Sequence, residues 1–437
     1  MNESRPHCRL SRRAAVALTL LLAIASCDEA DQTLRREMKE KDWYRLQCEY
    51  TARGETVIAF LTEALRSHSS KIRVFAAEAL GRIGSREGVP ALLRAMGDRK
   101  VDVRCAAAMA LARIGDPATL ERLCMAARET KAKGRAAACE ALGLMGDKAA
   151  IPELKNRLTD QSWNVRLSAA RALRQLGEPS VIPILIEWAG TESEEVRQKA
   201  IVELGEARAK AAVPALTALL ENPKWNVSEA SAKTLGHVGD AAAEGSLQDM
   251  LKSKSVPIRA ASAEALGKIG DPKAIPALGE ALSDWSPEVR RPAAKALGEI
   301  GDAAAGESLA DALEGEGDLS VSVWLAASLH RLGAEKAMGY ITKEVEHQDG
   351  LVRLNAIEAL GWLRYEPSID LIALHLRDEH GYVRIASVHA LAAMPEDSSR
   401  EELVKALNHF YPDVRRAAFE VLHERYGPKL TSMLEPR

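Results

Sequence analysis

Leucine recurs along the chain at a nearly constant interval, with small residues at a fixed distance before it. Twelve leucines are spaced by 31 residues, with one step of 32: Leu80, Leu111, Leu142, Leu173, Leu204, Leu235, Leu266, Leu297, Leu329, Leu360, Leu391 and Leu422. Four residues before each leucine lies Ala or Ser in eleven of the twelve repeats, and Leu325 is the exception. A spacing of four places both side chains on one helix face, so each repeat predicts a helix that packs closely against its neighbours.

Glycine and proline mark where these helices end and the next ones begin. Gly-Asp pairs follow many of them, as in Gly270-Asp271 and Gly301-Asp302. Glycine suits the left-handed residue that closes a helix, and aspartate can cap the next start. Proline then falls in the first turn of a second helix, as at Pro276. The sequence predicts an all-α fold, an α-solenoid or superhelix of about twelve 31-residue helical hairpins.

Arginine occupies a third fixed position, seven residues before the recurring leucine. Ten repeats carry it: Arg73, Arg104, Arg135, Arg166, Arg197, Arg259, Arg290, Arg353, Arg384 and Arg415. The other two repeats have Ser228 and Ser322.

The succession Val-Arg, Ala-Ala, Ala-Leu-Gly and Ile-Gly-Asp resembles HEAT repeats of the bilin-lyase-like subclass, over roughly residues 55–427. The resemblance implies that the ten arginines form a ladder with turn aspartates of neighbouring repeats, interrupted at Ser228 and Ser322. The candidate partners lie six residues before an arginine: Asp98, Asp160, Asp284 and Asp378.

The N-terminal residues have the pattern of an export signal. Four arginines precede an uncharged run from Ala14 to Ser26, which is shorter than the roughly 20 residues that a membrane-spanning helix needs. The following Ile24-Ala25-Ser26-Cys27 resembles the lipobox of bacterial lipoproteins, which implies cleavage before Cys27 and a diacylglycerol on that residue. We therefore expect a lipid-anchored protein on the exported side of the bacterial cell envelope. A chance cysteine is the alternative, and neither the export route nor the membrane is specified.

These patterns divide the chain into four segments. Residues 1–26 are the signal peptide, and residues 27–54 hold the lipidated cysteine, an acidic spacer and an N-terminal capping helix that includes Trp43 and Tyr44. Residues 55–427 form the repeat array, and residues 428–437 are a C-terminal tail.

Composition narrows the possible functions. Removal of residues 1–26 takes away four basic side chains and one acidic one, which changes the net charge from −3 to −6. Such a mildly acidic body argues against nucleic-acid binding. No CxxC pair or Cys/His cluster is present in the sequence, so the cysteines predict neither zinc nor a redox motif.

Two enzymatic relatives are implied by the same resemblance. Deoxyhypusine hydroxylase binds two irons through several His-Glu pairs, whereas this sequence has only His423-Glu424 in that form. Bilin lyases act on cytosolic phycobiliproteins, which does not fit an export signal. The sequence therefore predicts no catalytic, cofactor-binding or metal-binding residues, and a metal-dependent oxidoreductase of the hydroxylase type is the alternative.

The ninth repeat departs most from the pattern and supplies the candidate partner-binding residues. Its turn reads Gly-Glu-Gly-Asp, the one 32-residue step falls there, and bulky or charged side chains surround it: Trp324, His330, Arg331 and, one repeat on, Trp362. Aromatic residues and arginine are typical of binding hot spots. Trp163 and Trp225 share another position two repeats apart. The alternative is that these residues only fill space.

The leading hypothesis is a monomeric, non-enzymatic scaffold that binds a protein or peptide in the cell envelope on a concave face formed by the arginine-bearing helices. Contact with the membrane would be through the lipid alone. A mechanical spacer that holds a partner away from the membrane is a further alternative.

Overall fold

The computed structural model describes residues 32–38, 46, 50, 53–128, 131–191 and 193–426. Several predicted features lie outside the described residues: the signal peptide 1–26, Cys27, Trp43, Tyr44 and the tail 428–437. Within the described ranges every regular element is helical. The prediction of an all-α fold is confirmed.

Two kinds of helix alternate along the described array. The longer helices, of 13 to 15 residues, carry the recurring arginine and leucine and are given even numbers: α2 Ser70–Ile83, α4 Val101–Ile114, α6 Ala132–Met145, α8 Trp163–Gln175, α10 Glu194–Glu206, α12 Trp225–Val238, α14 Val256–Ile269, α16 Pro287–Ile300, α18 Leu319–Arg331, α20 Gly350–Leu363, α22 Gly381–Ala393 and α24 Pro412–Tyr426. Companion helices precede each of them: α1 Ile58–Ala64, α3 Val89–Ala95, α5 Leu120–Ala126, α7 Ile151–Arg157, α9 Val181–Ala189, α11 Val213–Ala218, α13 Glu244–Met250, α15 Ile275–Ala281, α17 Gly306–Gly315, α19 Ala337–Glu344, α21 Ile369–Leu374 and α23 Glu396–Ala406.

The described residues form two compact units, one up to residue 172 together with 425 and 426, and the other within 173–424. In the first unit α2 packs against α4, and α4 packs against α6. In the second unit the even-numbered helices from α10 to α22 pack in succession, each against the next. Each unit thus stacks helical hairpins so that the apolar stripe of one repeat is covered by its neighbours, as expected for an α-solenoid of HEAT-like repeats.

The turns follow the predicted glycine and aspartate chemistry, with one addition. Helix α14 ends at Gly270, whose φ of 75° lies in the left-handed region and whose N–H donates to the carbonyl of Leu266 at 3.0 Å. The carboxylate of Asp271 then accepts from the amide of Lys273 at 3.1 Å. This contact caps a short 3₁₀ turn, Pro272–Ala274, which leads into α15. The aspartate therefore caps a 3₁₀ turn rather than the companion helix itself.

Glycine also brings the even-numbered helices close together. A Cβ atom on Gly267 in α14 would lie 2.6 Å from the Cα of Ala296 in α16. In the first unit, a Cβ atom on Gly81 in α2 would lie 2.7 Å from the Cα of Ala110 in α4. No side chain fits at such distances, so glycine after the recurring leucine and alanine before it set the spacing of neighbouring repeats.

The recurring arginines form ion pairs between neighbouring repeats. The guanidinium of Arg259 donates from Nε and Nη2 to the two carboxylate oxygens of Asp284, at 2.7 and 2.8 Å, and from Nη1 to the carbonyl of Ser253 at 2.9 Å. Equivalent pairs join Arg73 to Asp98, Arg135 to Asp160 and Arg353 to Asp378. Arg384 instead donates to one oxygen of Asp413, which lies in the first turn of α24. The carboxylate of a turn aspartate thus binds the arginine of the preceding repeat.

The arginine six residues after Asp98, Asp160, Asp284 or Asp378 binds the main chain of the same turn. Arg104 donates to the carbonyl of Asp98 at 2.8 Å, and Arg166 donates to the carbonyl of Asp160. Arg197 and Arg415 likewise donate to the carbonyls of Thr191 and His409. One turn is therefore held by two consecutive repeats.

The irregular turn and the two serines replace the arginine–aspartate pair by other contacts. Arg290 pairs with Glu316, at 2.7 Å from both Nε and Nη2, in the turn where the repeat lengthens by one residue. Glu316 was not among the predicted partners, because it is a glutamate and the residue six positions after it is Ser322 instead of an arginine. Ser228 and Ser322 form no such pair, and their hydroxyls donate to the carbonyls of Asn222 and Asp318.

Candidate binding groove on the arginine-bearing helices

A groove of about 630 Å³ crosses the even-numbered helices of the second unit. We call it the aromatic groove and define it by its lining residues: Lys295 of α16, Trp324 of α18, Leu354, Glu358, Gly361 and Trp362 of α20, and Tyr382, Ile385, Ala386, His389, Ala390 and Ala393 of α22. Helices α20 and α22 approach closely at the bottom of the groove. A Cβ atom on Gly361 would lie 2.8 Å from the Cα of Ala390, so only glycine allows this approach. Two of the predicted partner-binding residues, Trp324 and Trp362, line it.

Trp324 contributes to the core and not to the surface. Only 5% of it is exposed, and its indole Nε1–H donates to Oδ1 of Asn355 at 2.9 Å. Its ring meets that of Trp362 edge-on, with centroids 5.6 Å apart. Trp324 was predicted as a candidate partner contact, with space filling as the alternative. In the repeat where Leu325 replaces the small residue, this large buried aromatic supports the groove from below.

Trp362 is partly exposed and forms a side of the groove. The guanidinium carbon of Arg331 lies 4.7 Å from the Trp362 ring centroid, in a cation–π contact. His330 lies elsewhere: its ring contacts Tyr365 edge-on at 6.3 Å, and its buried Nδ1 has no hydrogen-bond partner among the described residues. The structure thus brings Trp324, Trp362 and Arg331 together and separates His330 from them.

Three groove residues on α20 and α22 were not singled out from the sequence. Tyr382 and Ile385 are 40% and 38% exposed, which is high for apolar side chains that face a groove. Leu354 and Ile385 each follow the ladder arginine directly, and most other repeats carry a small or polar residue at that position. Comparison of this one register position between repeats would have found Leu354 and Ile385, but not Tyr382, which lies two residues before Arg384.

Two carboxylates lie at or near the groove. Partial burial raises the pKa of Glu358, against the opposing effect of the nearby basic side chains Arg291, Lys295 and His389, although the residue is exposed on the surface of α20. Burial also raises the pKa of Glu299, which forms an ion pair with Lys295 at 3.8 Å. Glu358 is therefore accessible to a charged group placed in the groove.

The two other candidate tryptophans lie outside the groove. In the first unit Trp163 is half-buried, with the guanidinium carbon of Arg166 4.3 Å from its ring centroid. In the second unit Trp225 is 54% exposed. Trp285, which the sequence reading did not select, is 77% exposed and lies under Arg259, whose guanidinium carbon is 5.5 Å from the ring centroid. Both Trp225 and Trp285 lie where an even-numbered helix begins.

Metal-binding groups and membrane-spanning helices were two further features to look for in the described part of the chain, which includes the His423-Glu424 pair. His423 stacks on Phe419 with ring centroids 5.6 Å apart. Nowhere in that part do three His, Cys, Asp or Glu side chains form a group able to hold a metal ion. None of its helices combines the length and the apolar character needed to cross a bilayer.

Comparison with known proteins decides the family. A family model of HEAT repeats matches residues 58–134, 126–200, 185–267, 246–321 and 369–437, which is more than half of the chain. The chain belongs to the HEAT-repeat family. No curated protein sequence matches it. The HEAT-repeat matches leave out residues 322–368, which hold Trp324, Glu358 and Trp362. Five of the twelve residues that line the aromatic groove thus lie between the matched segments, and the other seven lie within them.

Several solved structures are similar to this chain in fold. One is the CpcE–CpcF complex of phycocyanin lyase from Nostoc sp. PCC7120, at 21% identity, covering 58% of this chain and 94% of that chain with a TM-score of 0.41. Yeast importin-beta has 14% identity, 86% and 59% coverage and a TM-score of 0.46. Human deoxyhypusine hydroxylase in complex with glycerol has 23% identity, 58% and 98% coverage and a TM-score of 0.27.

Proposed function

We propose that this HEAT-repeat protein is a scaffold that binds a peptide segment of another protein in the aromatic groove. The observation that carries the proposal is the exposure of Trp362, Tyr382 and Ile385 side by side, above a floor of small residues and the buried Trp324. A concave apolar site with a few polar groups is the usual form of a binding pocket. HEAT-repeat solenoids present such sites along a stack of helices, which suits a peptide better than a small molecule.

The groove proposal is tested with peptides displayed in a random library of twelve-residue sequences, selected on the purified full-length chain in detergent. We expect Trp362→Ala and Ile385→Ser each to lower the affinity of selected peptides by about tenfold or more, because aromatic and apolar anchors dominate such interfaces. Leu374→Ser is the matched control, since Leu374 is 69% exposed on α21 and lies outside the groove. The proposal would be contradicted if the selected peptides bound the wild type and the three variants equally, or if no peptide could be selected.

We further propose that the scaffold is exported and held at a membrane of the bacterial envelope by lipid on Cys27. The support is the run Ile24-Ala25-Ser26-Cys27 directly after an uncharged segment. Two or three acyl chains give stable anchoring, whereas one chain gives only marginal binding. Mass spectrometry of the purified chain should find Cys27 as an acylated first residue, and Cys27→Ser should move the protein from the detergent phase to the aqueous phase. An unmodified Cys27, or a mature chain that begins elsewhere, would exclude this anchor.

A further inference from the structure

Glu358 lacks the ion pair that its equivalents form in three other helices. In three other helices the residue five positions after the recurring arginine forms an ion pair with the residue one helical turn later. These pairs are Glu78 with Arg82, Glu264 with Lys268, and Lys295 with Glu299. In α20 the corresponding residues are Glu358 and Trp362. Trp362 thus stands where a partner of opposite charge would be, and Glu358 has no ion pair or hydrogen bond in the described structure.

Two of the three basic side chains near Glu358, Lys295 and Arg291, are engaged with other groups. Lys295 pairs with Glu299 at 3.8 Å, and its ammonium lies 5.0 Å from the Trp324 ring centroid. Arg291 reaches Oδ1 of Asn355 at 3.5 Å. His389, exposed on α22, is the third titratable neighbour. Each stabilises the Glu358 carboxylate at a distance, but none neutralises it by direct contact.

The surroundings of Glu358 favour a cation supplied from outside. The other side chains that line the groove beside it are mostly apolar or aromatic, among them Leu354, Trp362, Tyr382 and Ile385. An aliphatic stem of lysine or arginine packs well along such side chains while its charged end reaches a carboxylate. Charge-assisted hydrogen bonds of this kind are stronger than neutral ones, and more so where water is excluded.

We infer that the peptide bound in the aromatic groove carries a basic residue, lysine or arginine, whose charged end pairs with Glu358 while apolar neighbours pack against Trp362, Tyr382 and Ile385. This inference rests on the proposed function and adds the chemical class of the partner. An acidic side chain at the same place is disfavoured by repulsion from the carboxylate. The groove therefore selects a basic-apolar segment and rejects an acidic one.

The test repeats the twelve-residue library selection on three full-length proteins: wild type, Glu358→Gln and Glu358→Lys. We expect peptides from the wild type to be enriched in Lys or Arg next to apolar residues. A representative peptide should bind Glu358→Gln about tenfold more weakly, because a charge-assisted contact is lost. Glu358→Lys should enrich Asp or Glu at the same place instead. Glu346→Gln is the control, since Glu346 is an exposed carboxylate on the same unit without an ion pair in the described structure.

The outcomes separate this inference from the groove proposal. If selected peptides are weakened by Ile385→Ser, but Glu358→Lys selects the same basic residue as the wild type, the groove binds peptides and the pairing with Glu358 is wrong. If no selected peptide responds to Ile385→Ser or Trp362→Ala, both the groove proposal and this inference fail. Circular dichroism of each variant before selection establishes that the helical content is unchanged.

Discussion

Trp324 and Asn355, one repeat apart on α18 and α20, are joined by a buried hydrogen bond of 2.9 Å from the indole Nε1–H to Oδ1. Asn355 is itself only 3% exposed, and its Nδ2 donates to the carbonyl of Leu351 at 2.8 Å. The asparagine thereby satisfies the polar atom of a large side chain that would otherwise be buried without a partner. This bond lets an indole occupy the core beneath the aromatic groove.

Removal of the Asn355 side chain should therefore destabilise the second unit. In Asn355→Ala the indole N–H loses its acceptor, which costs about 1–3 kcal/mol of unfolding free energy. The double variant Trp324→Phe with Asn355→Leu removes donor and acceptor together. Its loss of unfolding free energy should be smaller than the sum of the losses in Trp324→Phe alone and Asn355→Leu alone. Urea unfolding followed by circular dichroism measures both. Costs that simply add would mean that the hydrogen bond contributes nothing to stability.

The repeat length, the helix pairs and the turn chemistry could be predicted from the sequence, because each depends on residues close together along the chain. Leu266, Gly270 and Asp271 fix the end of α14 without reference to any distant residue. The ladder pairs depend on contacts 25 to 29 residues apart, and two of their carboxylates were not predicted. Glu316 precedes a serine instead of an arginine, and Asp413 lies in the first turn of α24, so a search for aspartates six residues before an arginine missed both.

The sequence singled out two residues that line the aromatic groove, but not the burial of Trp324 or the exposure of Tyr382 and Ile385. The irregular ninth repeat pointed to Trp324 and Trp362. Whether an aromatic residue is buried depends on the facing helix, and Asn355, which holds Trp324 inside, gives no signal by itself. Tyr382 and Ile385 lie in a repeat of regular length, so a search for irregularity passed over them.

The ladder pair of Arg259 and Asp284 should contribute strongly to the packing of α14 on its neighbours. Asp284→Ser leaves a buried guanidinium without its carboxylate, and loss of one partner of a buried pair costs about 3–5 kcal/mol. Adding Arg259→Ser recreates the arrangement of Ser228, whose hydroxyl binds the carbonyl six residues earlier. The double variant should therefore be more stable than Asp284→Ser alone. Hydrogen exchange of the α14 amides measures the difference, and equal protection in both variants would contradict it.

The ladder carboxylates should make the fold sensitive to acid. Burial alone would raise the pKa of Asp284, but the bonds from Arg259 and from the amide of Ser286 hold it below the ordinary value, and Asp98 and Asp378 behave alike. A carboxylate with a lowered pKa stabilises the fold above its unfolded pKa of about 4, and that stability is lost as the pH falls through the folded pKa. Unfolding free energy should therefore decrease below about pH 4.

Glu299 and Glu358 should act in the opposite direction. Burial raises the pKa of both, so that protonation occurs more readily in the folded state than in the unfolded chain. Their contribution should increase stability as the pH falls from neutral toward about 5, before the ladder is lost. Urea titrations from pH 7 to 3 measure both effects. Asp284→Asn should flatten the acid limb, whereas the exposed control Asp311→Asn should not; equal acid limbs for these two variants would contradict the assignment.

The close approach of α14 and α16 at Gly267 should tolerate no side chain. A Cβ atom there would lie 2.6 Å from the Cα of Ala296, which is backbone and cannot rotate away, so Gly267→Ala must push the two helices apart. Overpacking of this kind costs about 1–3 kcal/mol, which outweighs the gain of up to about 1 kcal/mol from better helix propensity.

Gly245 on α13 provides the matched control for that substitution. It is exposed, lies inside a helix and has no atom within 4 Å of an added Cβ, so Gly245→Ala should stabilise the fold by about 0.5–1 kcal/mol. Urea unfolding of the two variants should thus shift the midpoint in opposite directions. Because both changes add the same methyl group to a helical glycine of the second unit, propensity alone would shift both upward. Only the contact between neighbouring repeats makes Gly267→Ala destabilising.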